Sequence, residues 1–254
     1  MAEELLSRED GRVHRLTLNR PERRNALTPD LAAALARELD LIEERGAAHV
    51  VVLSGAEGHF SAGLDLRWLR SLGPVPPVPQ LQRGLAAFQS AVIAIVRCQL
   101  PVIAEIRGSA AGFGLDLALA CDMRLAGSSA TLTSAFSRMG LVPDGGSTFT
   151  LPRLLGLGHA LRFLMTGETV AAETACALGL VDQVRPDGEV DAAVTAVANA
   201  IAAAAPASVR TIKRLVRADE LGALEQALAS EGAAQIQALQ GPEFQRRLEA
   251  FVSR

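Results

Sequence analysis

The sequence predicts an α/β fold, and three observations carry that prediction. Within the first 53 residues a half-buried strand, an amphipathic helix and a strand apolar on both faces follow one another, the order of a βαβ unit. Strand, small-residue turn and helix then recur at Leu53–Leu69 and Ile103–Ala120. Beyond Val190 the chain changes to alanine-rich helical stretches. The expected organisation is a mixed core over residues 1–189 and a helical region over 190–254.

Taken in order, Glu4–Arg8 reads as a first strand, and Arg12–Asn19 as a second, because Val13, Leu16 and Leu18 stand among polar residues. Thr28-Pro29-Asp30 supplies an N-cap, a proline at the first helical position and an early acid. Leu31, Leu35, Leu39 and Ile42 follow at helical spacing, which predicts a helix over Pro29–Arg45. Val50-Val51-Val52-Leu53 is a strand covered on both faces. Ser54–Leu64 is a glycine-bearing loop that leads to a short helix near Asp65–Ser71. Four prolines in Gly73–Pro79 exclude regular structure there and leave a surface linker or a lid. Helix resumes at Leu81–Cys98, and Pro101–Ile106 is another buried strand. The turn Gly108–Gly114 opens a helix over Leu115–Cys121, followed by a short strand pair at Met123–Ala126 and Ala130–Thr133. The tail reads as helices at Val190–Ala204, Ser208–Arg217, Leu221–Leu239 and Pro242–Val252.

Composition excludes several classes of function. With 25 Lys and Arg against 28 Asp and Glu, a formal charge of −3 gives no electrostatic case for nucleic acid. Hydrophobic residues at 49% suffice for a buried core. No run approaches the roughly 18 apolar residues of a membrane span, and the acidic start MAEELLSRED is no signal peptide. Cys98, Cys121 and Cys176 are far apart, each in an apolar run, which points to reduced thiols in the cytoplasm. His14, His49, His59 and His159 match no metal-binding spacing, so no metal is expected. Nucleophile-elbow, phosphate-loop and dinucleotide motifs are also missing from the sequence.

Two features remain. Phe60-Ser61-Ala62-Gly63-Leu64-Asp65-Leu66 and Gly108–Leu117 are both strand-exit turns that enter a helix. Amide protons at a helix start lack an internal partner and sit at the positive end of the helix dipole. Two such amides that converge on one oxygen make an oxyanion hole; small residues at these turns also serve tight packing alone. The second feature is acid beside the turns. Asp116 interrupts the apolar helix Leu115–Cys121, and Asp144 lies in Gly140-Leu141-Val142-Pro143-Asp144-Gly145-Gly146. A carboxylate among apolar residues is costly unless paired or used, and burial raises its pKa toward the range useful for proton transfer. Asp144 is equally a turn or cap residue; a helix-terminus role fits Asp116 less well, given its depth in the apolar pattern. Arg210, Lys213, Arg214 and Arg217 form a stripe on Ser208–Arg217, either a solvated face or a contact for phosphates.

Phe60–Leu66, Pro101-Val102-Ile103-Ala104 with Gly108, Ala120-Cys121-Asp122, Gly140–Gly146, Leu164-Met165-Thr166-Gly167 and Ala177-Leu178-Gly179-Leu180-Val181-Asp182 together resemble the crotonase, or enoyl-CoA hydratase/isomerase, superfamily. The similarity runs from about Arg12 to Pro186. It implies a spiral of ββα units with a helical C-terminal trimerisation layer, assembled as homotrimers or hexamers, acting on acyl thioesters of coenzyme A with no further cofactor. By the same resemblance the backbone N–H groups of Leu64 and Phe113 form the oxyanion hole, and CoA lies along Arg24, Ala26, Ala62, Asp65 and Leu66. Trp68, the proline-rich stretch, Phe88 and Phe136 are the expected walls of the acyl pocket.

Departures from the hydratase pattern bear on the reaction. Hydratases of the superfamily carry one glutamate at the position of Asp116 and another at that of Phe136, and a phenyl ring cannot hold or protonate a water. Asp116 and Asp144 instead match aspartates of the dienoyl-CoA isomerases, and Ala135–Asp144 resembles the ring-epoxide and enoyl-CoA isomerases of aromatic degradation. Isomerisation by Asp144 and Asp116 is therefore expected. An enoyl-CoA hydratase using Asp116 and a non-catalytic acyl-CoA-binding protein are the alternatives, and a decarboxylase, dehalogenase or thioesterase could use the same hole.

Overall fold

A computed structural model describes residues 3–73 and 76–252. β1 (Leu5–Asp10) and β2 (Val13–Leu18) form an antiparallel hairpin, and β3 (Val50–Gly55), β4 (Val102–Ile106), β6 (Met123–Gly127) and β9 (Gln183–Arg185) add to it in parallel, giving the order β1-β2-β3-β4-β6-β9. A smaller sheet has the order β5-β7-β8, with β5 (Ser109–Ala111) and β8 (Thr169–Ala171) on either side of β7 (Thr131–Thr133). The chain thus steps from the large sheet to the small one and then into a helix. β4, β5 and α4 (Phe113–Ala120) make one such turn. β3, the bridge of Ser61 to Ala110, and α2 (Leu66–Ser71) make another.

The helices that cover the large sheet explain why its central strands are apolar throughout. α1 (Pro29–Arg45) and α3 (Val78–Arg97) bury Leu35, Leu39, Ala91 and Ile95 with Val51, Leu53, Val102 and Ala104 on one face. On the other, Val50, Val52, Ile103 and Leu125 meet Val190, Val194 and Ala198 of α8 (Val190–Ala203). α1 begins as expected, with the Thr28 hydroxyl accepting from the Leu31 amide at 3.3 Å, and ends at Gly46 in a left-handed conformation. The rest of the helices are α5 (Ser147–Leu155), α6 (Leu157–Thr166), α7 (Ala172–Ala177), α9 (Pro206–Val216), α10 (Glu220–Gln240) and α11 (Pro242–Val252). α10 sends Leu224 and Leu228 into the same core as the sheet.

Some details differ from the sequence reading. Helix α3 starts at Val78, three residues early, with Pro79 inside its first turn, where a missing amide proton forfeits no hydrogen bond. Residues 74 and 75 of the proline-rich stretch lie outside the described residues. Met123–Gly127 and Thr131–Thr133 are not a pair: β6 lies between β4 and β9, and β7 joins β5 in the other sheet. Cys98 and Cys121 are buried free thiols whose pKa burial pushes up to about 12, and Cys176 is half-buried. No single helix among the described residues is long and apolar enough to cross a membrane.

Candidate active site

The two small-residue turns lie side by side. The Ser61 amide donates to the Ser109 carbonyl at 3.0 Å, and the Ala111 amide donates back to Ser61 at 2.9 Å. Gly63, at φ +86°, sits against the second turn so closely that a Cβ there would lie 2.5 Å from the Ala111 oxygen and 3.1 Å from the Phe113 nitrogen. Leu64 follows Gly63, and its neighbours' backbone groups are engaged: Leu27 donates to the Gly63 carbonyl and Asp65 donates to the Leu27 carbonyl. The amides of Leu64 and of Phe113, the first residue of α4, take no acceptor among the described residues. Both turns therefore present an open backbone donor within a few residues of their closest contact.

The two acids lie next to each other beside these turns, and Asp144 is the one that borders the cavity lined by Leu64. Asp116 on α4 is 1% exposed, and neither of its carboxylate oxygens has a hydrogen-bond partner. Burial drives its pKa well above the ordinary carboxylate value, and the negative charges of Glu231 and Asp144 push the same way. The Ser147 hydroxyl and the Gly145 amide lie close enough to pull it partly back, although the Ser147 Oγ completes no hydrogen bond. Asp144, 8% exposed, is raised by burial to about 7; a hydrogen bond from Gln235 opposes this and the Glu231 charge adds to it. Its Oδ1 is buried and unpartnered. The Asp144 loop packs against Asp116, since a Cβ on Gly145 would lie 2.6 Å from Asp116 Oδ2.

Asp144 and Leu64 border one small apolar cavity of about 20 Å³, with Trp68, Leu81, Phe88 and Leu239 among its other walls. Phe88 stacks edge-on with Trp68 at 6.3 Å and tilted on Phe113 at 4.9 Å, so the aromatic wall runs back to the second turn. A larger cleft, about 420 Å³, lies beneath α9 and contains Asp122, Lys213 and Arg217. Those charges already pair: Asp122 receives Lys213 at 2.7 Å and Arg217 at 2.8 Å. The small cavity, bordered by Asp144 with one carboxyl oxygen unpartnered and by Leu64 with its open amide, is the chemically equipped one.

The expected binding residues are distributed as follows. Arg24 is exposed, and its carbonyl receives the Ala62 amide at 2.9 Å; Ala26 is buried and its carbonyl receives Arg20. Asp65 caps α2 through the amides of Arg67 and Trp68 and pairs with Arg20 at 2.9 Å, which leaves its carboxylate fully engaged. Leu66 opens α2. Phe136 is buried beside Gly112, in an apolar group with Leu69, Leu81 and Leu239, so a ring rather than an acid covers the start of α4. Of the basic stripe, Lys213 and Arg217 turn inward to Asp122, and only Arg214 is plainly exposed.

Two site residues escaped the sequence reading. Glu231 and Gln235, one turn apart on α10, are 5% and 1% exposed. The Glu231 carboxylate accepts from the amides of Gly146 at 2.7 Å and Thr148 at 2.9 Å, and from the Thr148 hydroxyl, so it caps α5 from a different helix. Gln235 bonds Asp144 directly. The signal for them was available: the buried stripe Leu224, Leu228, Glu231, Gln235, Leu239 of α10 places two polar residues in an otherwise apolar helical row.

The family model described as enoyl-CoA hydratase/isomerase matches residues 8–254. The 1,2-epoxyphenylacetyl-CoA isomerase of Escherichia coli is 32% identical, over 100% of this chain and 97% of that protein. A Mycobacterium tuberculosis protein named "Probable enoyl-CoA hydratase EchA14" is 37% identical, with 96% of each chain covered. Among solved structures, an enoyl-CoA hydratase from Bacillus halodurans superposes with a TM-score of 0.92 at 25% identity, covering 98% of this chain and 100% of that one. The protein therefore belongs to the enoyl-CoA hydratase/isomerase family, a crotonase-fold enzyme of CoA thioesters of hydratase or isomerase type.

Proposed function

We propose that the protein moves a carbon–carbon double bond in an enoyl-CoA thioester, with Asp144 as the proton carrier. The amides of Leu64 and Phe113 bind the thioester oxygen. Asp144 takes the proton from C2 of a 3-enoyl chain; the C–H electron pair shifts toward the carbonyl, and the dienolate oxygen gains charge against the two amides. Return of the proton to C4, from Asp144 or from Asp116, leaves the double bond between C2 and C3. Nothing is gained or lost, and no cofactor is needed beyond the CoA of the substrate. Arg24, Ala26, Ala62, Asp65 and Leu66 are the proposed track for CoA; the Asp65 carboxylate caps α2 and its amide donates to the Leu27 carbonyl, so Asp65 shapes the track rather than offering it a free donor.

The observation that carries this reading is Asp144 itself: buried, bordering the cavity beside Leu64, with one oxygen unpartnered and a pKa of about 7. A base with that pKa changes protonation state at little cost near neutral pH. Hydration is the second reading, favoured by the names of some relatives; Phe136 where a second acid would hold water speaks for isomerisation. Asp144→Asn should lower turnover on a 3-enoyl-CoA by about 10²–10⁴-fold, the usual loss for a proton-transfer group, with CoA-ester binding near normal. An unchanged rate removes Asp144 from the mechanism.

A trimeric or hexameric assembly is part of the proposal. Ile212, Leu215 and Val216 on α9 and Leu157 and Met165 on α6 are apolar side chains left exposed on the single chain, the kind of surface that buries against a second copy. Light scattering that gives the mass of one chain would refute it. Three free thiols support a reducing, cytoplasmic setting.

A further inference from the structure

Gln235 is 1% exposed and uses both ends of its side-chain amide on the Asp144 loop. Its Oε1 accepts from the Val142 amide at 3.1 Å, and its Nε2 donates to Asp144 Oδ2, also at 3.1 Å. The first bond fixes the second. A flipped amide would turn NH2 against the Val142 N–H, two donors face to face, so the end presented to Asp144 is held as a donor. Asp144 Oδ2 is thereby occupied, and Oδ1, buried and unpartnered, is the oxygen left to receive a proton. The loop is held on its other side by Gln89, whose Nε2 donates to the Leu228 carbonyl at 2.8 Å and reaches the Asp144 carbonyl at 3.4 Å.

We infer that Gln235 is a positioning residue for the Asp144 base, capping Oδ2 so that the proton travels on Oδ1 and the ionised carboxylate is favoured. This rests on the reading of Asp144 as base. The charged or titratable groups facing Asp144 are Asp116 from α4 and Glu231 from α10, both acidic, while the α2 and α3 side of the cavity presents Trp68, Leu69, Leu81, Leu85 and Phe88. Gln235 is accordingly the side-chain donor that works against burial and like charge at this carboxyl. A donor to the charged form lowers a carboxyl pKa, so its removal raises the pH at which Asp144 ionises.

The test is the pH profile of isomerisation of a 3-enoyl-CoA by Gln235→Met, Gln235→Glu and Asp144→Asn. Gln235→Met should move the acid limb of kcat upward by about one pH unit, a tenfold loss of turnover on the acid side, with little loss well above the limb and KM nearly unchanged. Gln235→Glu keeps the acceptor for Val142 and replaces the neutral donor by a carboxyl that shares a proton with Asp144, so the acid limb should shift and broaden over two coupled ionisations with the loop still anchored; it carries the test if the methionine variant fails to fold. A limb that stays in place in the folded variants, whatever happens to kcat, overturns the role of Gln235 while leaving Asp144 as base. Full turnover by Asp144→Asn overturns the base itself, and this inference with it.

Discussion

Asp144 makes the fold less stable as pH rises, and Asp144→Asn should abolish that dependence. The carboxyl has a pKa of about 7 in the folded protein against an ordinary value of 3.8. From about pH 4 to pH 7 the unfolded chain has already released this proton while the folded chain still holds it, so unfolding releases a proton and stability falls through that window. A difference of roughly three units at 1.36 kcal/mol each makes the site's contribution about 4 kcal/mol less favourable at pH 8 than at pH 4. The variant carries its own penalty, because the new amide places a donor where Oδ1 now has no partner, at about 1–3 kcal/mol. That penalty does not change with pH, so the informative quantity is the change in the difference. Urea unfolding of both proteins at intervals from pH 4 to pH 8 should show the variant gaining several kcal/mol on the parent across the window. Parallel stability curves would refute the buried, proton-holding carboxyl on which the mechanism stands.

Turnover of the unaltered enzyme should rise with pH through about 7, as Asp144 ionises; a rate flat from pH 5 to pH 9 contradicts this. Glu231→Ala should lower stability by about 2–4 kcal/mol, because the amides of Gly146 and Thr148 lose a buried charged acceptor, and thermal unfolding with no shift would show that α5 needs no cap from α10. Gly63→Ala places a methyl group 2.5 Å from the Ala111 oxygen in a left-handed conformation and should cut kcat at least about tenfold by displacing one oxyanion donor; a normal kcat argues against the Leu64–Phe113 hole. Lys213→Met should destabilise by about 1–3 kcal/mol, since it removes one charged donor from Asp122, which keeps Arg217 and the Val102 amide, whereas a role only in phosphate binding would leave the melting temperature unchanged and alter CoA-ester affinity.

Much of this was legible from local chemistry. Val50–Leu53 reads as a doubly covered strand because α1 and α3 pack on one face and α8 on the other, and α1 was visible because Thr28 and Pro29 start it locally. Asp116 and Asp144 stood out as carboxyls among apolar residues, and they are the two raised aspartates of the site. What the sequence hid depends on distant partners. β5 is three small residues that become a strand only by pairing with β7. α5 has no side-chain cap of its own, and its start is stabilised by Glu231, 85 residues from Gly146. The basic stripe of α9 looked like one surface, yet Lys213 and Arg217 point at Asp122, a partner that spacing cannot reveal. The apolar row of α10 marks Gln235 as a buried polar residue, but its target, the Asp144 loop, comes from a distant part of the chain that spacing does not reveal.

The central claim is that hydrogen moves between carbons without water joining the chain. The most direct measurement incubates a 3-enoyl-CoA with the enzyme in deuterated water and follows products by mass and by the position of the double bond. The account predicts a 2-enoyl-CoA of unchanged composition, with any deuterium confined to the carbons that exchange protons with Asp144. A product heavier by one water would contradict it and identify the protein as a hydratase.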